Sequence, residues 1–459
     1  MAKSAEKRVA LVSLGCVKNL VDSEKILGQL AEAGCALTND EADADVVVIN
    51  TCGFLAAGRD EATSIIREMV ALKHTSRVRR VVVAGCLVQR DGESLRQAVP
   101  GIDALVGVNN RDDVVRAVLA DGGKTKRRGK TDLFLGEYHP FVALDTGRFR
   151  LTPRHYAYLR ISEGCDQKCT FCTIPSIRGP MHCKPPAVIL DEARELIADG
   201  AAELILIGQD TTSYGDDIGY TPGLAGLLCE LNRLDGLRWL RLMYAYPSVL
   251  TEDLIDAVAE CDKVVKYIDL PLQHINDRIL KAMHRCVTRT ETEDLLQRIR
   301  RRIPGVHLRT TMIAGFPSET EGEFCELLDF VADFRFDALG VFAYSLEPET
   351  PAGRMREQLP EEVKQQRVQR LMLAQQQVAF ALADRYLNRR FEVVVDGLGG
   401  EGVQPARHAG QAPEVDGVTL LPDADLPVST WLEVRCTGRR DYDLLATPTR
   451  VALPLSESA

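Results

Sequence analysis

The chain has no apolar run approaching the roughly 18 to 20 residues needed to span a bilayer. It also lacks the biased composition of a disordered or fibrous protein, since 45% of its 459 residues are hydrophobic and 27% are charged. These are values of an ordinary soluble globular protein, and they exclude wholesale disorder, collagen-like repeats and integral membrane status. No low-complexity tract and no internal repeat beyond a βα rhythm is present. Residues Met1 to Ala10 carry three lysine or arginine residues and pass straight into the strand-like Val9 to Leu14, with no signal-peptide pattern behind them. An excess of positive charge is missing as well. Lysine and arginine number 56 against 66 acidic residues, a net charge of -10, which argues against a surface built throughout for nucleic acid but leaves room for a local basic patch.

A full set of intrachain disulfides is also absent from the expectation. Thirteen cysteines is an odd number, and without an export signal the chain is expected in the reducing cytoplasm. The thiols therefore need another explanation.

The length suits about three domains. From Arg8 to about Leu119, strand-like runs (Val9 to Leu14, Asp45 to Ile49, Val81 to Ala84) alternate with helical patterns (Asp22 to Ala33, Asp60 to Leu72), the rhythm of a parallel sheet. The stretch Asp121 to Lys130, DGGKTKRRGK, reads as an exposed loop near a boundary. A second series supplies six strands: Ala157 to Ile161, Leu204 to Ile207, Leu237 to Met243, Val264 to Leu270, His307 to Ile313 and Ala338 to Ala343. Helical segments such as Ala187 to Asp199 and Glu319 to Phe334 separate them, so six βα units in an open or partial barrel are expected, with ligands at the carboxyl ends of the strands. Glu361 to Arg389, free of glycine and proline, reads as one long helix. Beyond it the short runs FEVVVDG, GVTLL and WLEVR predict a small antiparallel barrel.

The strongest chemical signal is Cys165, Cys169 and Cys172, a C-x3-C-x2-C cluster directly after the first barrel strand. Three thiolates on one loop hold three irons of a cubane cluster and leave the fourth open to a cofactor or substrate. A zinc knuckle needs a fourth ligand, and the nearest choices, His182 and Cys183, are ten residues on. A second set, Cys16, Cys52 and Cys86, follows three successive strands. In a parallel sheet those ends share one edge, so the three thiols are expected to converge on a second metal cluster, each from a loop; three buried small hydrophobes are the alternative. Cys35, Cys229, Cys261, Cys286, Cys325 and Cys436 have no partners at ligand spacing and read as core or incidental thiols, whereas Cys183 stands close enough to the cluster loop to approach the same cavity. Gln209, Asp210, Tyr246, Gln273 and His274 fall at predicted strand ends, as cavity residues or as packed and capping polar groups. No acid-base catalytic residue is assigned.

The cluster loop with Phe171 before its last cysteine resembles the radical S-adenosylmethionine superfamily. The N-terminal thiols and the C-terminal β domain are similar to its methylthiotransferase branch. Within that branch ISEGCDQKCTFCTIPSIRG (Ile161 to Gly179), IGQDTTSYG (Ile207 to Gly215), YAYPS (Tyr244 to Ser248), PLQH (Pro271 to His274) and APEVDG (Ala412 to Gly417) look most like members that modify an aspartate of a small-subunit ribosomal protein. The resemblance implies an α/β multidomain chain. A flavodoxin-like domain over 1–145 would carry the auxiliary cluster, a radical-SAM partial TIM barrel with its connecting helix would span 151–388, and a TRAM domain that binds substrate would span 389–459. It further implies that Cys165, Cys169 and Cys172 ligate the 4Fe-4S cluster that binds S-adenosylmethionine, and that Cys16, Cys52 and Cys86 ligate an auxiliary 4Fe-4S cluster. An external electron donor is required. An unactivated C–H bond offers neither an acidic proton nor a leaving group, so the implied chemistry is radical, with S-adenosylmethionine as both radical source and methyl donor. One departure stands out: Cys183-Lys184 replaces the Ser-Arg pair common in relatives.

The tRNA-modifying members share both cysteine signatures, so the thiols do not identify the substrate. From Phe391 to Ala459 there are five arginines, no lysine and eleven acidic residues, a net of -6. That balance favours a basic ribosomal protein over nucleic acid. A non-enzymatic iron-sulfur scaffold or electron carrier is disfavoured by the three-cysteine loop, because carriers usually saturate each cluster with four ligands.

Overall fold

The computed structural model describes residues 6–120, 131–136 and 144–451. The basic stretch 121–130 lies outside them.

Six parallel strands, β1 (Arg8–Ser13), β2 (Ala36–Thr38), β3 (Val46–Thr51), β4 (Arg80–Gly85), β5 (Ala104–Val106) and β6 (Asp132–Phe134), form the N-terminal sheet in the order β2-β1-β3-β4-β5-β6. The continuous apolar runs of β3 and β4 arise because both faces are covered. On one face Val47, Ile49, Val81 and Val83 meet Ile66 of α2 (Ala56–Thr75) and Leu87 and Leu95 of α3 (Cys86–Ala98). On the other, Val46, Val48, Val82 and Ala84 meet Ile26 and Leu30 of α1 (Val17–Glu32) and Val118 of α4 (Val114–Leu119). This is the flavodoxin-like arrangement, in which ligands gather beyond the strand carboxyl ends. The strands β2, β5 and β6 were not among the expected ones, since three residues each are too few to show a period.

All six expected barrel strands are present. β7 (Tyr156–Arg160) runs into a short hairpin, β8 (Ser162–Glu163) with β9 (His182–Cys183), and the sheet continues with β10 (Glu203–Ile207), β11 (Trp239–Leu242), β12 (Val264–Asp269), β13 (His307–Ala314) and β14 (Ala338–Ala343). Its order is β14-β13-β12-β11-β10-β7, every pairing parallel and the barrel open between β14 and β7. The helices that follow are α5 (Ile174–Arg178), α6 (Pro186–Ala198), α7 (Gly223–Leu231), α8 (Glu252–Glu260), α9 (Asp277–Ala282), α10 (Arg289–Arg302) and α11 (Glu321–Phe334). The long helix α12 (Glu361–Ala383) ends earlier than its composition predicts. It tightens into a 3-10 turn at Asp384–Tyr386, where the Tyr386 hydroxyl meets His307 at the foot of β13, and Asn388 then adopts φ 63° to turn the chain into the next domain.

That domain is a closed barrel of β15 (Arg390–Val395), β16 (Val403–His408), β17 (Thr419–Pro422), β18 (Trp431–Arg440) and β19 (Asp443–Val451), ordered β15-β16-β17-β19-β18. Pro405, Arg407 and Pro448 hid β16 and β19 from a hydropathy reading.

The barrel interior is filled from both ends by its neighbours. Inward-facing Tyr156, Tyr158, Ile205, Trp239, Met243 and Tyr267 pack against Val21 of α1 and against Val394, Ala412 and Trp431 of the C-terminal barrel. Trp239 and Trp431 meet edge to face at 4.5 Å. Beneath them the wholly buried Glu203 joins Arg241 and Arg407 at 2.8 Å each, while Arg407 and His155 both hold Asp396 at 2.7 Å. Burial alone would raise the Glu203 carboxyl, but Arg407 and Arg241 outweigh it and hold it below its usual range.

Removing one partner of such a buried group costs about 3–5 kcal/mol. Arg407→Ala is expected to loosen the C-terminal barrel, read as a lower melting temperature and faster proteolytic release of 389–459. Because Glu203 is held lower in the folded chain than the ordinary glutamate value of 4.5, its contribution is present above that value and lost as pH falls through the folded pKa. The same release should therefore appear in the wild-type chain on acidification.

Candidate active site at the strand ends

The cysteine loop leaves β8 through Gly164, whose φ of 79° and lack of a side chain are both required, since a Cβ would collide with the Pro180 carbonyl. Cys165 N donates to Gly179 O at 3.2 Å, so the β8–β9 hairpin closes the loop at its base. The three thiols receive donors. The backbone N–H of Gln167 meets Cys165, Ile174 N meets the Cys172 sulfur at 3.4 Å, and Arg285 Nη1 and the Tyr246 hydroxyl lie 3.6 and 3.8 Å from the Cys169 sulfur. Burial pushes the Cys165 and Cys172 thiols up to about 12, and each feels its neighbours as like charges. Such sulfurs ionise when a cationic centre is bound, and N–H donors then tune the bound cluster. Ser162 Oγ in β8 and Gln209 Oε1 just past β10 are buried without hydrogen-bond partners among the described residues. The donor set fits an iron-sulfur cluster, and the orphaned polar atoms fit a polar cofactor.

The second thiol set converges through close backbone contacts. Cys16 is the N-cap of α1, Cys52 follows β3, and Cys86 is the first residue of α3. A Cβ on Gly15 would lie 2.6 Å from the Cys52 Cβ, and one on Gly53 would lie 2.7 Å from the Cys86 carbonyl carbon. Glycine at both positions thus lets the three segments touch. The expectation that all three thiols sit on loops is corrected at Cys86, which is helical and 6% exposed. Two of the three stand at helix N-termini, where the helix dipole favours a thiolate. Burial pushes the Cys86 thiol up to about 12 with Arg178 working against it, while Cys16 and Cys52 act on it as like charges. Among the described residues no three His, Cys, Asp or Glu side chains close around a point as for a single metal ion.

Arg178, at the end of the α5 turn that follows the cysteine loop, reaches the second thiol set. Its Nε lies 3.3 Å from the Cys86 sulfur, Nη1 donates to Glu163 at 2.7 Å, and Nη2 donates to Asn19 and Asp22 at 2.6 and 3.0 Å. Asp22 also takes Arg160 and Arg111 at 2.6 Å each. Arg160 extends the network to Asp145 at 2.9 Å, and Lys184 joins Asp145 at 2.8 Å and contacts Glu192. The unusual Lys184 is therefore a buried element of the domain junction. Cys183 lies in the barrel core, where its sulfur accepts from Gly215 N at 3.3 Å, and it does not enter the cluster cavity.

Among the strand-end residues, Tyr246 touches the Cys169 sulfur and Asp210 fixes the loop by accepting from Gln167 at 2.8 Å. Gln209 donates to Glu163 at 2.8 Å. Gln273 adopts φ 75° and bridges to Met312. His274 is a packed group: burial lowers it to about 3, and its Nδ1 accepts from Asn276 N at 3.0 Å. Sequence reasoning missed Asn19, Arg178 and Arg285. Arg178 falls within the quoted loop motif, whereas Arg285 carries no local signal at all.

Three family models match the chain: Uncharacterized protein family UPF0004 over residues 8–107, the Radical SAM superfamily over 159–331 and the TRAM domain over 389–448. The chain is 43% identical over 456 residues to the ribosomal protein uS12 methylthiotransferase RimO of Anaeromyxobacter sp. (strain K), covering 98% of this chain and 96% of that one. It is 39% identical to the RimO of Geotalea uraniireducens, covering 97% and 99%. Among solved structures, the radical S-adenosylmethionine methyltransferase TsrM from Kitasatospora setae superimposes with a TM-score of 0.55 at 17% identity, covering 90% of this chain and 80% of that one, a likeness of fold.

Arg178→Ala would strip Asp22 and Glu163 of one of the three arginines they share, Arg111 and Arg160 being the others, and would leave Asn19 Oδ1 without that donor, a loss of about 1–3 kcal/mol. A lower calorimetric transition is expected, and Arg178→Lys should recover part of it while failing to reach both carboxylates and the Cys86 sulfur together.

Proposed function

The chain belongs to the RimO family of ribosomal protein uS12 methylthiotransferases, and from that membership we propose that it inserts a methylthio group at the β-carbon of an aspartate in that ribosomal protein. The observation that carries this reading is that one loop after the first barrel strand presents three thiols while three more converge beyond the strand ends of the N-terminal sheet, with Arg178 of α5, the helix that follows the loop, against the Cys86 sulfur. Cys165, Cys169 and Cys172 would hold the cluster that binds S-adenosylmethionine, and Cys16, Cys52 and Cys86 an auxiliary 4Fe-4S cluster. When bound, these groups supply the electron and radical chemistry that an unactivated C–H bond demands, together with the sulfur to be transferred.

The chain's own residues bind, orient and exclude water. Arg285, Tyr246 and the N–H groups of Gln167 and Ile174 orient the loop sulfurs. Phe171 packs beside Phe316 and Tyr344, which keeps water from that side of the loop. Arg178 and Asn19 hold the second triad in register with the first, which is the positional requirement when a short-lived radical must meet a sulfur. We assign 1–145 to the auxiliary cluster, 151–388 to the radical core and 389–459 to substrate capture.

A basic protein substrate suits the C-terminal barrel. Some of its acids act internally, as Asp396 and Asp416 do, but Glu401, Asp423, Asp425 and Asp441 are exposed. No helix among the described residues is long and apolar enough to cross a membrane. We place the enzyme in the cytoplasm with an external electron donor.

Two experiments test the reading. After anaerobic reconstitution with iron and sulfide, S-adenosylmethionine and a reductant, purified uS12 is expected to gain a methylthio mass on an aspartate, while unmodified tRNA is unchanged; a gain on tRNA alone would overturn the choice of substrate. Cys86→Ala is expected to retain roughly half the iron of the wild type, as loss of one of two four-iron clusters requires.

A further inference from the structure

The open barrel has two sheet edges, and they are treated differently. Along β7 the outward carbonyls are covered: Arg148 donates to Tyr158 O at 3.0 Å, and Arg150 and Thr152 donate to Tyr156 O at 3.3 and 3.0 Å. Along β14 nothing of the kind occurs. Among the described residues it pairs only with β13, and no side chain bonds to its backbone. Every residue of β14 is at least partly exposed, whereas β7, β10 and β11 are buried throughout. An uncapped strand edge is a template for another strand.

A cleft of about 390 Å³ runs beside this edge, between Ala338, Leu339 and Gly340 of β14 and Val415, Asp416 and Tyr442 of the C-terminal barrel. Gly340 stands mid-strand, where a Cβ would meet the side chains of Arg309, Thr311 and Phe342 only at ordinary contact distances of 3.6 to 3.9 Å. Glycine at such a place admits a second backbone. Two buried acceptors line the cleft without a hydrogen-bond donor, Gln375 Oε1 and Asp416 Oδ1, the latter with Arg309 Nε at 3.5 Å. Acceptors without donors, beside exposed Val415 and Tyr442 and the 52% exposed Phe342 farther along the strand, suit a donor-rich and partly apolar occupant. Past β14 the chain packs Tyr344 near Phe171, and Ala352 N donates to Thr170 O at 2.9 Å, so the edge leads to the cysteine loop.

We propose that an extended, basic segment of the protein substrate pairs with the free edge of β14 as a seventh strand, anchored in the cleft against the C-terminal barrel, and so leads the target aspartate to the mouth of the barrel. This rests on the protein-substrate reading above and specifies how that substrate is held. Six residues of β14 at about 3.3 Å each give the added strand a register of roughly 20 Å. Main-chain pairing supplies affinity, and the apolar strip, the Gln375 acceptor and the exposed acids of the C-terminal barrel supply selection for a donor-rich, cationic chain.

The reconstituted full-length enzyme provides the test. Hydrogen exchange at amides 338–343 should slow when uS12 is added. Gly340→Ala adds a Cβ that makes only ordinary contacts in the free protein but crowds a backbone laid along the strand, and Gly340→Val crowds it further; Gly340→Val is expected to raise KM for uS12 by about tenfold or more with kcat largely kept, and Gly340→Ala by less. Phe342→Asp should raise KM likewise, whereas Leu398→Asp, at a still more exposed apolar position away from the cleft, should not. If uS12 is methylthiolated with wild-type KM by Gly340→Val and the exchange of 338–343 does not respond, the docking is overturned while the proposed activity stands. If only tRNA is modified, the protein-substrate reading fails and the docking fails with it.

Discussion

A buried, charge-balanced network holds the two halves of the candidate site together. Arg111, Arg160, Arg178 and Lys184 face Asp22, Asp145, Glu163 and Glu192, drawn from α1, the segment before β7, β7 itself, β8, α5 and α6. Such a network adds little net stability over apolar packing, because desolvation of each ion offsets its attraction. Its gain is geometric, since eight charges satisfy one another in only one arrangement of the two domains. That arrangement sets the Cys86 sulfur beside the arginine that ends the α5 turn after the cysteine loop. Lys184 completes it: a cation of either kind balances Asp145 and Glu192, but an ammonium fits the tight space between two carboxylates as a point charge.

The lumen follows the same logic with different materials. An open six-stranded barrel cannot bury its own inner face, so α1 and the C-terminal barrel cover it from its two ends with apolar and aromatic side chains. Their polar edges are matched. Glu414 accepts from the hydroxyls of Tyr156 and Tyr158 at 3.2 and 3.3 Å, and Asp416 accepts from Tyr267 at 2.8 Å. The C-terminal barrel is thus a structural floor as well as a surface, and only the strand carboxyl ends and the β14 edge remain open. Both openings face regions where the chemistry or its substrate must enter.

The two thiol sets were legible at very different levels. Cys165, Cys169 and Cys172 share one loop, so their nearness is a matter of chain connectivity. Cys16, Cys52 and Cys86 were placed together by the rule that parallel strands end on one edge, which gave the right neighbourhood but the wrong local setting for Cys86. The short strands β2, β5 and β6 escaped notice for want of length, and β16 and β19 because proline and arginine interrupt their apolar pattern.

By itself the sequence determined the α/β alternation, the six barrel strands, the small β domain and the nearness of the three loop thiols, because each is written in local periodicity or short spacing. Only the tertiary structure decided that Arg178 reaches Cys86, that Arg285 reaches Cys169 across more than a hundred residues, that Lys184 is a buried counter-ion and that His274 is a packing group. Those roles depend on the burial and charge of groups distant in sequence. A single side chain does not announce its partners until folding brings them within a few ångströms.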